Sequence, residues 1–275
     1  MPTSVRETTQ PTRLALLLAQ WSRGIGELVV ALQNPDFNAI LLQAVRRLVD
    51  VDFVMAFAYR GRTRPVALGD TLDAKHRRII VTDYLNGPYM LDPFFQATLD
   101  GTRSGCFRLR NLAPDRFRQS EYFRAHYRRT GIGDEIGFFC DLGDDVTGVL
   151  SLAKWSEGPA VSRQDLALLT AIAPAIASIC IRHWEMAARS LATDRRRKPG
   201  SPEMEAAYER FGHQVLSGRE RQIVTLILQG HSTESAARHL DISPGTVKIH
   251  RRNIYRKLGV ATQAELFAAF LTFVG

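Results

Sequence analysis

The last sixty residues, Leu216 to Gly275, carry helix start and stop signals in such close order that they leave little choice of fold. Ser217-Gly218-Arg219-Glu220 is a capping box: a Ser at the N-cap and a Glu three residues on satisfy two orphan amides reciprocally. A helix follows through Ile223, Leu226 and Ile227, and Gly230 ends it as a residue free to turn left-handed. Ser232 caps a second, short helix carrying Ala236, Ala237 and Leu240. Ser243-Pro244 opens a third, with Ser at the N-cap and Pro at the first helical position, where no amide hydrogen is missed. Thr262-x-x-Glu265 opens a fourth. Short capped helices joined by tight turns read as a helix-turn-helix module.

The third helix carries the functional signal. On a helical period Val247, Ile254 and Leu258 form one apolar stripe, with His250 beside it. Lys248, Arg252 and Arg256 recur every fourth residue and stack on another face, flanked by Arg251 and Lys257. No acid lies between Ser243 and Gly259. A merely solvated face usually mixes signs, so this one is expected to meet an anion. Lys and Arg neutralise phosphates, and Arg also holds guanine bidentately. A helix that follows a tight turn in this way can enter a major groove.

The stretch LSGRERQIVTLILQGHSTESAARHLDISPGTVKIHRRNIYRKLGVATQAEL resembles the DNA-binding domain of LuxR-type transcriptional regulators. The likeness is densest at Leu-Ser-x-Arg-Glu, Ile-Ser-Pro-x-Thr-Val-Lys-x-His and Arg-Lys-Leu-Gly. The resemblance implies that Lys248, Ile249 and Arg252 face bases and the groove. It implies phosphate contacts at Thr246 and Arg256, with Arg251 on the same DNA-binding surface. Double-stranded DNA and RNA polymerase are the partners it implies. Glu220 is expected to act through its cap and an internal ion pair. The fourth helix, Gln263 to Val274, resembles the helix by which such domains pair. Its apolar side, with Leu266, Phe267 and Phe270, is expected to make a homodimer.

The whole chain has 275 residues, room for two domains with a core each. Its net charge of +8 favours an anionic partner without choosing between nucleic acid and membrane. Three scattered cysteines, Cys106, Cys140 and Cys180, do not make a disulfide framework, so a reducing cytoplasm is the simpler expectation. No secretory signal is visible. Leu166 to Ile181 is the longest apolar stretch, shorter than the ~20 residues a bilayer needs and interrupted by Pro174. It is expected to be a buried helix in a chain that meets no membrane. The basic run Arg195 to Pro202 reads as a linker, with auxiliary phosphate contact as the alternative. The expected division is a sensor or dimerisation domain over 1–185, a linker over 186–212 and the DNA-binding domain over 213–275.

The N-terminal part alternates helices and strands. Arg13 to Leu32 has helical spacing that Gly24 and Gly26 are expected to interrupt, and Asp36 is expected to cap a second helix. Strands are expected at Asp52 to Tyr59, Thr63 to Leu68, Ser104 to Leu109, Glu135 to Leu142 and Val146 to Ala153, the last two joined by a Gly143-Asp144-Asp145 turn. Helices are expected near Asp73 to Leu85, over Pro114 to Arg129, and from Arg163 to Trp184. The order suggests an α+β sandwich, an antiparallel sheet of about five strands flanked by helices, ahead of the all-α four-helix unit. It resembles the GAF/PAS-like sensor domains that precede LuxR-type modules. Asp92-Pro93, with Tyr84 and Tyr89 upstream, matches part of the pattern of acyl-homoserine lactone receptors, but no tryptophan lies near position 80, which counts against a lactone.

Aromatic residues crowd the middle of this unit, and most are expected to be core. A subset, Tyr84, Asp92, Phe107, Tyr122 and Glu135, is the candidate binding set for a small-molecule effector. Asp92 is equally a helix N-cap before Pro93. Strand alternation puts Phe138 and Phe139 on opposite faces, so at most one is expected to point inward. No Walker phosphate loop, nucleophile elbow or His-Glu-x-x-His pair is present. No catalytic residue, metal site or cofactor is expected, and a non-enzymatic regulator is the reading. The alternative is a regulator whose first domain is only a protein-interaction and dimerisation platform.

Overall fold

The computed structural model describes residues 12–193 and 210–274. Five antiparallel strands form one sheet in the order β2-β1-β5-β4-β3. They are β1 (Phe53–Arg60), β2 (Val66–Asp70), β3 (Gly105–Arg108), β4 (Ile132–Asp141) and β5 (Val146–Trp155). The β4–β5 hairpin turns through Gly143, Asp144 and Asp145, all at positive φ (78°, 49° and 60°), which Gly and Asp tolerate. Register pairs Phe138 with Leu150 and Phe139 with Val149.

Both faces of the sheet are covered. On one, Val54, Ala56, Ile136, Phe138 and Leu150 pack with α1 (Arg13–Val30), α2 (Phe37–Arg46) and α7 (Arg163–Thr193). On the other, Met55, Phe57, Tyr59, Phe139 and Val149 pack with α4 (Pro93–Leu99) and irregular turns around it. Phe138 and Phe139 are therefore both buried, each in its own layer, contrary to the expectation that one faces outward.

Several local expectations are corrected. Helix α1 runs unbroken past Gly24 and Gly26; Gly24 lets it approach α2, where an added Cβ would stand 3.1 Å from that of Ala44. Asp36 makes no side-chain cap on α2. The segment expected to be one helix over Pro114 to Arg129 is broken into a 3-10 turn (Phe117–Gln119), α6 (Glu121–Ala125) and a second 3-10 turn (Tyr127–Thr130). Ser120 causes the break: extended at ψ 154°, it caps α6 by accepting the amide of Phe123 at 3.1 Å. Asp73 likewise caps only the single turn α3 (Ala74–Arg77), after which the chain passes through π and 3-10 turns to Asn86.

Helix α7 has the length and composition of a membrane span. It instead lies on the sheet with Leu169, Ile176, Cys180 and Trp184 buried. It passes through Glu185 to Thr193, so the domain end expected at 185 falls inside a helix. The expected linker run Arg195 to Pro202 lies outside the described residues.

The C-terminal unit comprises α8 (Gly218–Gln229), α9 (Thr233–Leu240), α10 (Pro244–Leu258) and α11 (Gln263–Val274). Every cap read from the sequence forms. Ser217 and Glu220 make the reciprocal box, and Ser232, Ser243 and Thr262 cap their helices. Gly230 and Gly259 close α8 and α10 in the left-handed region. The two units do not have wholly separate cores. The segment before α6 meets the turn between α8 and α9: the Arg116 amide donates to the Gly230 carbonyl at 3.1 Å, and the Asp115 carboxylate accepts the Ser232 amide at 2.9 Å.

Candidate functional site

Helix α10 owes its placement to Val247 and Ile254, which are buried at 2% and 0% exposure and fix its inner side. That orientation turns Lys248, Ile249, Arg252 and Arg256 outward together, with Ile249 54% exposed. Three like charges on one exposed stripe repel one another; Arg256 donates to Asn253 at 3.3 Å, and no acid faces the stripe among the described residues. The other sequence-assigned positions are more engaged. Thr246 shares a hydrogen bond with the N-cap Ser243 at 2.9 Å. Arg251 donates to the Tyr255 hydroxyl at 3.1 Å and lies over its ring. Lys257 is bound to the buried Glu220 at 2.7 Å, the internal ion pair expected for that acid. Lys257 lowers the Glu220 carboxyl below its usual range, and the Ser217 cap adds to this.

Leu266, Phe267 and Phe270 are buried within the single chain, at 0%, 6% and 2% exposure. Phe270 stands edge-on to Phe211 at 5.5 Å. These three side chains, expected to make a homodimer, are covered within this one chain, where α11 also packs against α6 of the first unit. Phe211, the ring against Phe270, lies before the capped segment. Among the described residues, the large apolar side chains that α11 leaves exposed are Leu271 and Phe273.

The second constellation lies under the aromatic face of the sheet. Tyr59 on β1 and Tyr84 join hydroxyls at 2.9 Å, and Tyr84 donates to Asp92 at 2.6 Å. The other oxygen of Asp92 caps α4 by accepting the Phe94 amide at 2.8 Å, so the cap and the cluster are one arrangement. Glu135 on β4 accepts from the Tyr127 hydroxyl at 3.0 Å and hydrogen-bonds Ser151. Tyr122 stacks on His126 at 5.7 Å and lies in the field of both carboxylates. Four of the five sequence-assigned residues thus come together. Phe107 does not: it stands at 5.4 Å from Phe139, in the wall near the sheet edge.

Tyr59 and Tyr127 were missed as cluster members. Tyr59 could have been found, since strand alternation puts it on the face of Phe57 and Met55. Tyr127 was hidden by the expectation of a continuous helix. Asp134, the third acid of the region, is bound to Arg108 and accepts the Val161 amide at 2.9 Å, which leaves it little capacity for a ligand.

Burial sets the electrostatics of this cluster. Desolvation raises Asp92 to about 6. It raises Glu135 to about 8, with the charge of Asp92 adding to the effect. Burial also holds the phenols of Tyr59, Tyr84, Tyr122 and Tyr127 well above their ordinary range, so they stay donors. It pushes His126 down to about 4, leaving a neutral ring at pH 7. Among the described residues neither Asp92 nor Glu135 has a cationic partner. No group of three or more His, Cys, Asp or Glu among those residues is arranged to hold a metal ion. A cavity of about 600 Å³ is lined by Glu135 and Tyr127 together with Phe117 and Phe123.

Residues 214–269 match the family described as GerE, bacterial regulatory proteins, luxR family. A putative HTH-type transcriptional regulator of Aeromonas salmonicida is 35% identical over 184 residues, covering 66% of this chain and 93% of that protein. The chain belongs to the LuxR family of bacterial transcriptional regulators. The response regulator TmoT of Ectopseudomonas mendocina is 41% identical over 68 residues, 25% of this chain and 29% of that protein. The VqsR LBD domain of Pseudomonas aeruginosa superposes with a TM-score of 0.51 at 25% identity, covering 63% of this chain and 97% of that one. The relatives of this LuxR-family chain are regulators of transcription, and its α8–α11 unit is a DNA-binding one.

Proposed function

We propose that this LuxR-family regulator is controlled by a small-molecule effector held in the first unit, at the cluster of Tyr59, Tyr84, Asp92, Tyr122, Tyr127 and Glu135. One observation carries the reading. Glu135 is buried and Asp92 half-buried against an aromatic core, with no cation beside either among the described residues, an arrangement that costs stability beyond what the Asp92 cap returns. Such groups with displaced pKa values mark functional sites more often than structural ones. The likeness to the VqsR LBD domain supports the same assignment. The platform alternative explains Asp92 as the cap of α4 but leaves Glu135 without a role. A metabolite library screened by thermal shift on the full chain should yield a saturable ligand whose effect is lost in Asp92→Asn. By linkage, operator DNA must change the affinity of that ligand by the factor the ligand changes DNA affinity. A library that stabilises wild type and Asp92→Asn alike would remove the cluster from the effector's site.

On DNA, Lys248, Ile249 and Arg252 read bases while Arg256 and Thr246 hold phosphates. Arg252→Ala is expected to cost about 1–3 kcal/mol and to relax specificity at one operator position. Arg256→Ala should weaken binding to all sequences and flatten the salt dependence instead. Binding isotherms at several salt concentrations, on matched and scrambled sites, separate the two; unchanged specific affinity in both variants refutes the assignment. The regulator works in the cytoplasm, contacts RNA polymerase, and binds as a homodimer on half-sites roughly 34–36 Å apart. Since Phe270 is internal, Leu271→Asp is the substitution that addresses pairing. It should leave the fold intact and lower operator affinity, and a wild-type monomer on DNA by sedimentation would exclude the homodimer.

A further inference from the structure

The cavity beneath Phe117 and Phe123 is unlike the cluster it reaches. It is lined by Glu135 and Tyr127 and by the apolar Phe117, Phe123 and Ile132, with the exposed Arg110, Arg116 and Arg118 on its rim. All three arginines are exposed, and none makes a side-chain hydrogen bond or ion pair among the described residues. Of the acids nearby, Asp134 is bound to Arg108, and burial raises Glu135 to about 8, so that it is mostly protonated at neutral pH. Asp115 is exposed and keeps its charge while accepting the Ser232 amide. The rim, with three arginines to one aspartate, is therefore cationic. The volume, about 600 Å³, falls in the range of ligand pockets.

We propose that this cavity binds an amphiphilic carboxylate, its apolar or aromatic body between Phe117, Phe123 and Ile132 and its anionic head on Arg116 and Arg118. The assignment rests on the effector reading above and narrows it to a class of ligand. Guanidinium forks match a carboxylate in geometry as well as charge. A hydroxyl or carbonyl on the body can reach the Glu135–Tyr127 pair. The site is wired to the DNA-binding unit by the chain itself, because the rim segment is the one that grips it. Arg116 supplies a guanidinium to the mouth and its backbone amide to Gly230, and neighbouring Asp115 holds Ser232. A head group that repositions Arg116 must also disturb or tighten that grip.

The test uses the full chain and three probes with one body, 4-phenylbutyrate, 4-phenylbutanol and 4-phenylbutylamine, followed by calorimetry at pH 7. The carboxylate should bind saturably and about tenfold more tightly than the alcohol, the difference expected from one charge-assisted contact. Arg116→Gln with Arg118→Gln, both at exposed positions, should erase that preference while leaving the alcohol's affinity unchanged. Phe123→Ala should weaken both. Equal affinity of carboxylate and alcohol, tighter binding of the amine, or no saturable heat from the carboxylate overturns the proposal. A library ligand that depends on Asp92 but is indifferent to Arg116 and Arg118 would overturn it too, and would leave the effector reading standing.

Discussion

Replacing Arg108 by alanine is expected to destabilise the first unit by about 3–5 kcal/mol, the usual result of stranding one partner of a buried ion pair. Arg108 is 3% exposed and Asp134 8%. The Arg108 Nε donates to Asp134 at 2.7 Å, and a second guanidinium nitrogen meets the other oxygen, so the pair is bidentate. Asp134 also accepts the amide of Val161, which ties the β3–β4 edge to the chain just before α7. Removing the guanidinium leaves a carboxylate with one amide partner in a site that water hardly reaches. Urea unfolding should show a lower midpoint at unchanged slope. The double variant Arg108→Met, Asp134→Asn keeps an acceptor for Val161 and removes the charge, and should recover most of the loss. A loss below about 1 kcal/mol in Arg108→Ala would mean the pair behaves as a surface one.

The C-terminal unit was legible in the sequence because its signals are local. A cap is written within four residues, and Ser217, Ser232, Ser243 and Thr262 each form the one they announce. The outward stripe of α10 follows from helical period once Val247 and Ile254 are taken as the inner side. What failed is what depends on distant partners. Leu266, Phe267 and Phe270 looked surplus to a short helix, and only the fold brings Phe211 and helix α6 of the first unit against that helix. Pro114 to Arg129 has helical composition, but Ser120 takes a capping geometry and the chain then turns twice. In the effector cluster, Asp92 was legible as a cap. Its link to Tyr59 through the Tyr84 hydroxyl was not, since 33 positions separate Tyr59 from Asp92 and neither a period nor a motif joins them.

Glu135→Gln is expected to flatten the pH dependence of stability between pH 6.5 and 8. Glu135 is raised from 4.5 to about 8 in the folded chain. Over that interval the native state binds more protons than the unfolded one, so stability falls as pH rises. Other groups confuse the lower part of the range. Asp92, raised to about 6, acts in the same direction but only below that pH. His126 and His231, both lowered from 6.5 to about 4 by burial, act in the opposite direction between those values. The tyrosines contribute only in alkali, since their folded values lie above 10. Above 6.5 the unfolded chain still loses the last half proton from each of His126, His231 and His183, also lowered by burial, which raises stability slightly in wild type and variant alike. The difference between the two proteins isolates Glu135: at about 1.4 kcal/mol per pH unit, wild type should lose about 2 kcal/mol relative to the variant across that window. Glutamine keeps an acceptor for the Tyr127 hydroxyl and has no proton to lose, so the variant's midpoint should not fall. Denaturation at half-unit steps of pH decides it: an equal slope in both proteins would mean that Glu135 is ionised throughout and that the floor of the cavity is negative at neutral pH. The same result would remove the electrostatic basis for an anionic ligand there, which makes this titration an independent check on the cavity assignment.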